Sequence, residues 1–256
     1  MSSTAQGHSR FLPPVIGLGT LLALALLLEI VIRAGQISRF VVPLPSEIAG
    51  AFGRIIAEED VAGRFLVTAG EALAASLLLT IVGVGIGVLL YRFTLLRAAY
   101  ETWIAALASA PIVLMYPLFL VIFGRSALTI IMMGFLSALP PVILKTIEGF
   151  ASTRGVLLDV GRAFKLTRWQ QFGKILFPAA LPTIFVGLRL GMIFALINIV
   201  GVEFLINFGG LGQLVNELAE RYDLPGTYAA IGFVILISIM FFAVTERIER
   251  WLRPAQ

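Results

Sequence analysis

Long uncharged stretches alternate with short charged ones along almost the whole chain. The first runs from Phe11 to Leu28 and continues through Glu29 to Ile32. Roughly 20 apolar residues reach across the ~30 Å hydrocarbon layer of a bilayer, so this stretch predicts a membrane-spanning helix. The run is too long for a cleaved signal peptide and no small-x-small site follows it cleanly, so a retained span is expected. Further spans are expected from Glu71 to Arg92 (starting as early as Phe65), Thr102 to Gly124, Ala127 to Leu144, Thr183 to Val202 and Leu224 to Thr245. The predicted fold class is an all-α integral membrane protein with six transmembrane helices. Residues 1–10 form a polar tail, and 11–253 a single membrane domain.

Local signals refine this outline. Glu29 lies near the end of the first span, where it can snorkel or pair with Arg33. Val42-Pro43-Leu44-Pro45-Ser46-Glu47 predicts an extended entry into a short helix near 47–58, with Ser46 as N-cap. Gly83 and Gly87 form a G-x-x-x-G pair on one helix face, which suits close helix packing. Pro111 and Pro117 should kink the third span or split it around a cavity. Ser109, Tyr116 and Asn198 are then candidates for the cavity-facing sides of the third and fifth spans. Helix–helix hydrogen bonding is the competing role for them. Residues 213–223 read as a polar, acidic connection.

The one long polar-amphipathic insert is GVLLDVGRAFKLTRWQQFGKILFPAALP, from Gly155 to Pro182. Leu157, Val160, Gly161 and Phe164 recur at helical spacing, with Asp159, Arg162 and Lys165 on the other side. Trp169, Phe172, Gly173 and Leu176 repeat the pattern. Thr167-Arg168-Trp169-Gln170 between them reads as a capping box. Pro178 and Pro182 are expected to stop this helix and start the next. The expectation is two short basic amphipathic helices joined by a tight bend. An interfacial helix pair resting on the bilayer would also suit this composition.

In its spacing the insert resembles the "EAA" loop of ABC importer permeases. That loop reads E-A-A, three residues, G, nine residues, I-x-L-P. The register falls here on Asp159-Val160-Gly161, Lys165 and Ile175-Leu176-Phe177-Pro178. Asp replaces Glu, Val-Gly replaces Ala-Ala, Phe replaces Leu, and Lys165 replaces the turn glycine. A left-handed C′ position costs a non-glycine residue roughly 1–2 kcal/mol, so the bend is either made differently or compensated. The proline-serine entry after the first span and the Ala110–Phe119 run are similar to the sulfonate, taurine and nitrate branch of these permeases, while Gly187-Leu188-Arg189 and Glu203 with Gly210-Leu211-Gly212 resemble the family at large.

The resemblance implies a type I importer-like permease with residues 155–182 as its coupling-helix loop. Asp159, Gly161, Arg162, Lys165, Thr167, Arg168, Trp169 and Pro178 would meet a cytoplasmic ABC ATPase dimer. A second permease copy, identical or related, would complete the path. A periplasmic or lipid-anchored binding protein would deliver a small anionic or polar solute. Lys165 would help select one ATPase through an acidic site at its groove.

Composition and charge sharpen the picture. The chain is 59% hydrophobic and 13% charged, against roughly 25% charged in soluble domains. The net charge of +4 does not point to nucleic acid, because its placement tracks the loops. Arg92, Arg97, Lys145, Arg154, Arg162, Lys165, Arg168, Lys174 and Arg247 fall on one side of a six-span topology. The other side dilutes its arginines with Glu47, Glu58, Glu59, Asp60, Glu217, Glu220 and Asp223. The positive-inside bias therefore predicts cytoplasmic termini and a cytoplasmic insert, and the resemblance implies a bacterial inner membrane. There is no cysteine, one histidine in the polar tail, and no phosphate-binding G-x-x-x-x-G-K-[ST]. No catalytic residue, metal site or cofactor is expected in this chain. ATP and Mg would be used by the partner ATPase. The competing class is an ATP-independent secondary transporter or channel.

Overall fold

The computed structural model describes residues 12–252, with side chains over 15–247. Phe11, His8 and the expected tail at 1–10 lie outside the described residues. Every described element is helical. Helix α1 (Leu12–Arg33) is the first span, and almost its whole length is exposed. It ends against α2 (Pro45–Glu58). Glu29 joins the two: it accepts from Arg33 at 2.6 Å, from the Ser46 hydroxyl at 2.8 Å and from the Ser46 N–H at 3.0 Å. Ser46 is thus not the N-cap that the sequence suggests. Pro45 already occupies the first helical turn, because its fixed φ and missing N–H suit that position. Leu44 becomes the cap residue, and Glu47 accepts from its N–H at 3.1 Å.

The second span is one helix from Val61 to Arg92, made of α3 (Val61–Leu78), a π-turn at Leu79–Gly83 and α4 (Val84–Arg92). A Cβ on Gly83 would lie 2.9 Å from Val142 Cγ1, and one on Gly87 2.5 Å from Thr146 Cβ. The predicted glycine pair thus receives α7 (Ala127–Ala151), while Gly85 faces open space. Helix α7 carries Pro140 and Pro141 inside it without breaking.

The third span is split. Helix α5 (Thr94–Ala108), a 3₁₀ turn at Ile112–Met115 and α6 (Tyr116–Phe123) pass the break at 90°. Pro111 supplies no N–H there, and Pro117 sits in the first turn of α6, where a missing donor costs nothing. Counting this broken pair as one, six spans are present among the described residues.

After α8 (Gly155–Ala163) and α9 (Arg168–Gln171), the chain passes a π-turn at Phe172–Leu176 into α10 (Phe177–Ile206). Arg168 to Ile206 form one uninterrupted helix, so Pro178 and Pro182 do not stop it. Pro178 falls in the turn directly after the π-turn, where the ladder is already shifted, and Pro182 is carried inside α10. Most of residues 213–223 are helical, with 221–223 the turn into the last span: α11 (Gly210–Glu220) buries Leu211, Leu214 and Leu218 on one face. The last span is α12 (Leu224–Leu252).

Two cores result. The larger joins α3, α7 and α10 through residues such as Ala75, Met133, Val142 and Ile199. The smaller seats the α11 leucines among Ala51, Ile55, Val61, Ala229 and Ala230. Ion pairs close this second assembly: Arg54–Asp223 at 2.5 Å, Arg64–Glu217 at 2.7 Å and Arg221–Glu59 at 2.6 Å. The hydrogen bond that Arg54 donates to Asp223 pushes its guanidinium pKa further up. These are the same acidic residues that dilute the positive charge on one side of the predicted topology.

Candidate functional site

The α8–α9 unit is built by two opposed local devices. At its first end, the Leu166 N–H bonds the Gly161 carbonyl at 3.0 Å and the Lys165 N–H bonds that of Arg162 at 2.9 Å. These two bonds are the Schellman C-cap, and Lys165 is its left-handed residue at φ 52°. The bend is therefore made as a glycine would make it, with a lysine in place. Two residues on, the Gln170 N–H bonds the Thr167 hydroxyl at 3.3 Å, and the Thr167 N–H bonds the Gln170 side chain at 3.0 Å. The predicted capping box is present, so one helix stops and the next starts within four residues.

Tertiary contacts then fix the angle. Gly161 is buried, and a Cβ on it would lie 2.7 Å from Ile175 Cδ1. Gln171 donates to the Leu158 carbonyl at 2.9 Å. Asp159 and Arg162 pair with each other at 3.0 Å on the exposed side. Beside these charges the outward side carries an apolar row: Val156 and Val160 on α8, Phe164 at its cap, and Trp169 at 85% exposure. Pro178 stands apart from that surface, in the first turn of α10.

At the break in the third span lies a cavity of about 400 Å³, walled by Pro111, Val113, Ser137, Phe194 and Asn198. The Asn198 amide donates to the Phe194 carbonyl at 3.0 Å and lines the space. Ser109 does not line it; its hydroxyl turns back to Ala106 at 2.8 Å, although Ala108 and Ala110 on either side do. Tyr116 packs half-buried against the larger core. Of the three candidates, only Asn198 faces the cavity. No charged side chain lines it. Arg189 lies over the Phe242 ring, 5.4 Å from its centre.

A third arrangement escaped the sequence reading. Glu203 is fully buried and holds the start of α11: it accepts from Gly212 N–H at 2.7 Å and from the Thr68 hydroxyl at 2.7 Å. The Thr68 oxygen in turn accepts from Leu211 N–H at 2.9 Å. Gly212 is obligatory there, since a Cβ would lie 2.2 Å from the Val200 carbonyl. The Glu-to-Gly-Leu-Gly spacing was visible; its Thr68 partner, far away in the chain, was not.

Comparison with known proteins places these features. Residues 61–254 match the family described as binding-protein-dependent transport system inner membrane component. The chain belongs to that family. It is an ABC importer permease of the nitrate and sulfonate branch, and a transport subunit rather than an enzyme. This permease is 26% identical to the riboflavin transport system permease protein RibX of Chloroflexus aurantiacus, covering 98% of the chain and 94% of the relative. It is 28% identical to the formylaminopyrimidine transport permease protein ThiX of Halalkalibacterium halodurans, over 62% of the chain and 63% of the relative. It is 26% identical to the nitrate import permease protein NrtB of Synechocystis, over 69% and 64%. Its fold is that of the MetNI methionine ABC transporter in an inward-facing form, at 20% identity and a TM-score of 0.65, over 76% of this permease and 96% of that chain. No likeness supports the secondary-transporter or channel alternative. An importer of this kind works with an ABC ATPase and a substrate-binding protein.

Proposed function

We propose that this permease lies in the bacterial inner membrane with its termini and residues 155–182 in the cytoplasm, and that α8 and α9 dock into an ABC ATPase. The observation that carries this is the exposed apolar face of Val156, Val160, Phe164 and Trp169 on a helix pair fused directly to the 168–206 helix. Burying that face in a groove offsets the ordering cost of docking, and the continuous helix carries the motion into the membrane. ATP and Mg act in the ATPase, one copy beneath each of two permease chains. Lys165 projects a cation from the bend and selects the cognate ATPase through an acidic rim.

The solute path runs past the cavity at Pro111 and Asn198. Its uncharged lining with one amide suits a small polar solute, in keeping with the flavin, formylaminopyrimidine and nitrate that relatives are named for. Asn198 contacts the solute, and a binding protein delivers it from the opposite side.

Affinity purification of the tagged chain from native membranes tests the docking. An ABC ATPase should co-purify, and Val160→Asp with Trp169→Ala should lose it while the permease stays folded. Retention of the ATPase by that variant would reject α8–α9 as the dock.

A further inference from the structure

Two carboxyl groups from different spans meet inside the protein. Glu71 belongs to the 61–92 helix and Glu203 to the 168–206 helix, and their side chains lie at hydrogen-bond range of each other. Glu203 is 0% exposed and Glu71 4%. An ionisable side chain inside a span is rare and costly, so a buried pair of like acids needs a specific cause. We propose that Glu71 and Glu203 form a proton-binding site, in which Glu71 is a neutral carboxylic acid whose O–H donates to the Glu203 carboxylate.

The donors around the pair decide which member holds the proton. Both oxygens of Glu203 accept: Oε1 from the Thr68 hydroxyl and Oε2 from the Gly212 N–H, each at 2.7 Å. Those are the surroundings of a carboxylate, which can only accept. Glu71 has the opposite surroundings. Neither of its oxygens is reached by an N–H or hydroxyl donor among the described residues. A second negative charge there would have no donor and no water, and would stand directly against the first. A carboxylic acid avoids both penalties, and its O–H supplies the one donor that the contact requires.

The cationic side chains of the surrounding elements are engaged elsewhere. On α3, Arg64 lies two turns before Glu71 and pairs with Glu217 of α11 at 2.7 Å. Arg54 on α2 pairs with Asp223, and Arg221 after α11 with Glu59. Arg125, ahead of α7, donates to the Asn207 carbonyl, and Lys145 on α7 pairs with Glu148. Arg189 on α10 lies over Phe242. The proton therefore acts as a pin. Glu203 already ties α3 to the start of α11 through Thr68 and Gly212, and the Glu71 O–H adds a second strut one turn further along α3. Loss of the proton would leave two charges repelling where α3, α10 and α11 meet. The inference does not depend on ATPase docking, and its test needs no ATPase.

Infrared spectroscopy of the full-length protein in bilayers reads the proton directly. At neutral pH the parent should show the carbonyl stretch of a protonated carboxyl, shifted down in deuterium oxide. Glu71→Gln should abolish that band. Glu203→Gln should keep it at a displaced frequency, because the acceptor changes from a carboxylate to an amide. Thermal unfolding in detergent gives a second reading. Glu71→Gln replaces the O–H by an amide N–H and should match the parent. Glu71→Leu has no donor and should lower the midpoint by about 3–8 °C. Absence of the band in the parent overturns the proposal, as does a band that survives Glu71→Gln. A midpoint higher in sodium or potassium chloride than in N-methylglucamine chloride of equal strength also overturns it. That result would place a metal cation, not a proton, between two carboxylates.

Discussion

The Thr68 hydroxyl donates to the Glu203 carboxylate at 2.7 Å while its oxygen accepts from the Leu211 N–H at 2.9 Å, so one side chain links α3, α10 and α11. Both bonds are buried, and removing a partner strands the other groups without water. Thr68→Val keeps the shape and loses both bonds. It should cost about 2–3 kcal/mol, read as a lower melting temperature in detergent. Thr68→Ser should restore most of it. A Thr68→Val protein as stable as the parent would show that Glu203 finds its donors elsewhere.

The two glycines on either side of one turn of α4 should behave in opposite ways. A Cβ on Gly87 meets Thr146 at 2.5 Å and the Ile143 carbonyl at 3.1 Å, and a backbone carbonyl cannot step aside. Gly87→Ala should lose about 1–3 kcal/mol of stability. Gly85 faces open space, so Gly85→Ala should match or slightly exceed the parent. Thermal denaturation of the pair, measured side by side, is decisive because the substitution is the same.

Lys165 holds a left-handed backbone at φ 52° in a bend that a glycine would adopt freely. Lys165→Gly should strengthen the cap by about 1 kcal/mol, seen as slower hydrogen exchange at the Lys165 and Leu166 amides. The same variant should distinguish less well between its own ATPase and a related one in a competition pull-down. Unaltered preference would leave the lysine as a strained substitution with no recognition role.

The proposed orientation has its own check. With no native cysteine present, Ser46→Cys and Thr167→Cys each supply one thiol. An impermeant maleimide added outside intact spheroplasts should label the first and spare the second. Ser46 donates to Glu29, so Arg39→Cys is the alternative reporter for the same side. Labelling of Thr167→Cys from outside would invert the topology.

Much of this architecture was legible because it rests on short-range pattern. Apolar length gave the spans, and Thr167 with Gln170 gave the restart of a helix. Gly83 with Gly87 gave a packing face, and the paired prolines gave the split in the third span. What escaped depended on distance or on compensation. Residues 210–220 look polar, and their three leucines become a buried stripe only because Ala51, Ile55 and Ala229 form a seat for it. Pro178 and Pro182 look like helix stops, and the π-turn before them, invisible in composition, lets the helix run on. Ser46 looks like a cap until Pro45 takes the first turn. Glu71 and Glu203 come from separate spans, and only the folded chain brings their carboxyl groups together.

The 39-residue helix from Arg168 to Ile206 has a mechanical consequence. At 1.5 Å per residue it is about 58 Å long, nearly twice the ~30 Å hydrocarbon thickness. Its Gly187 and Gly191 press against α7, where Cβ atoms would come within 2.6 Å of Lys145 and 2.5 Å of Val142. The contact is not confined to that point: a Cβ on Gly149 would lie 3.0 Å from the Ala180 carbonyl, and one on Gly134 2.7 Å from Ile199. The two helices are therefore zipped together from residue 180 to residue 199 and move as one body. A push on the Trp169 end carries α7 along with α10, and α11, clasped by Glu203, is the part of the protein that would travel with them.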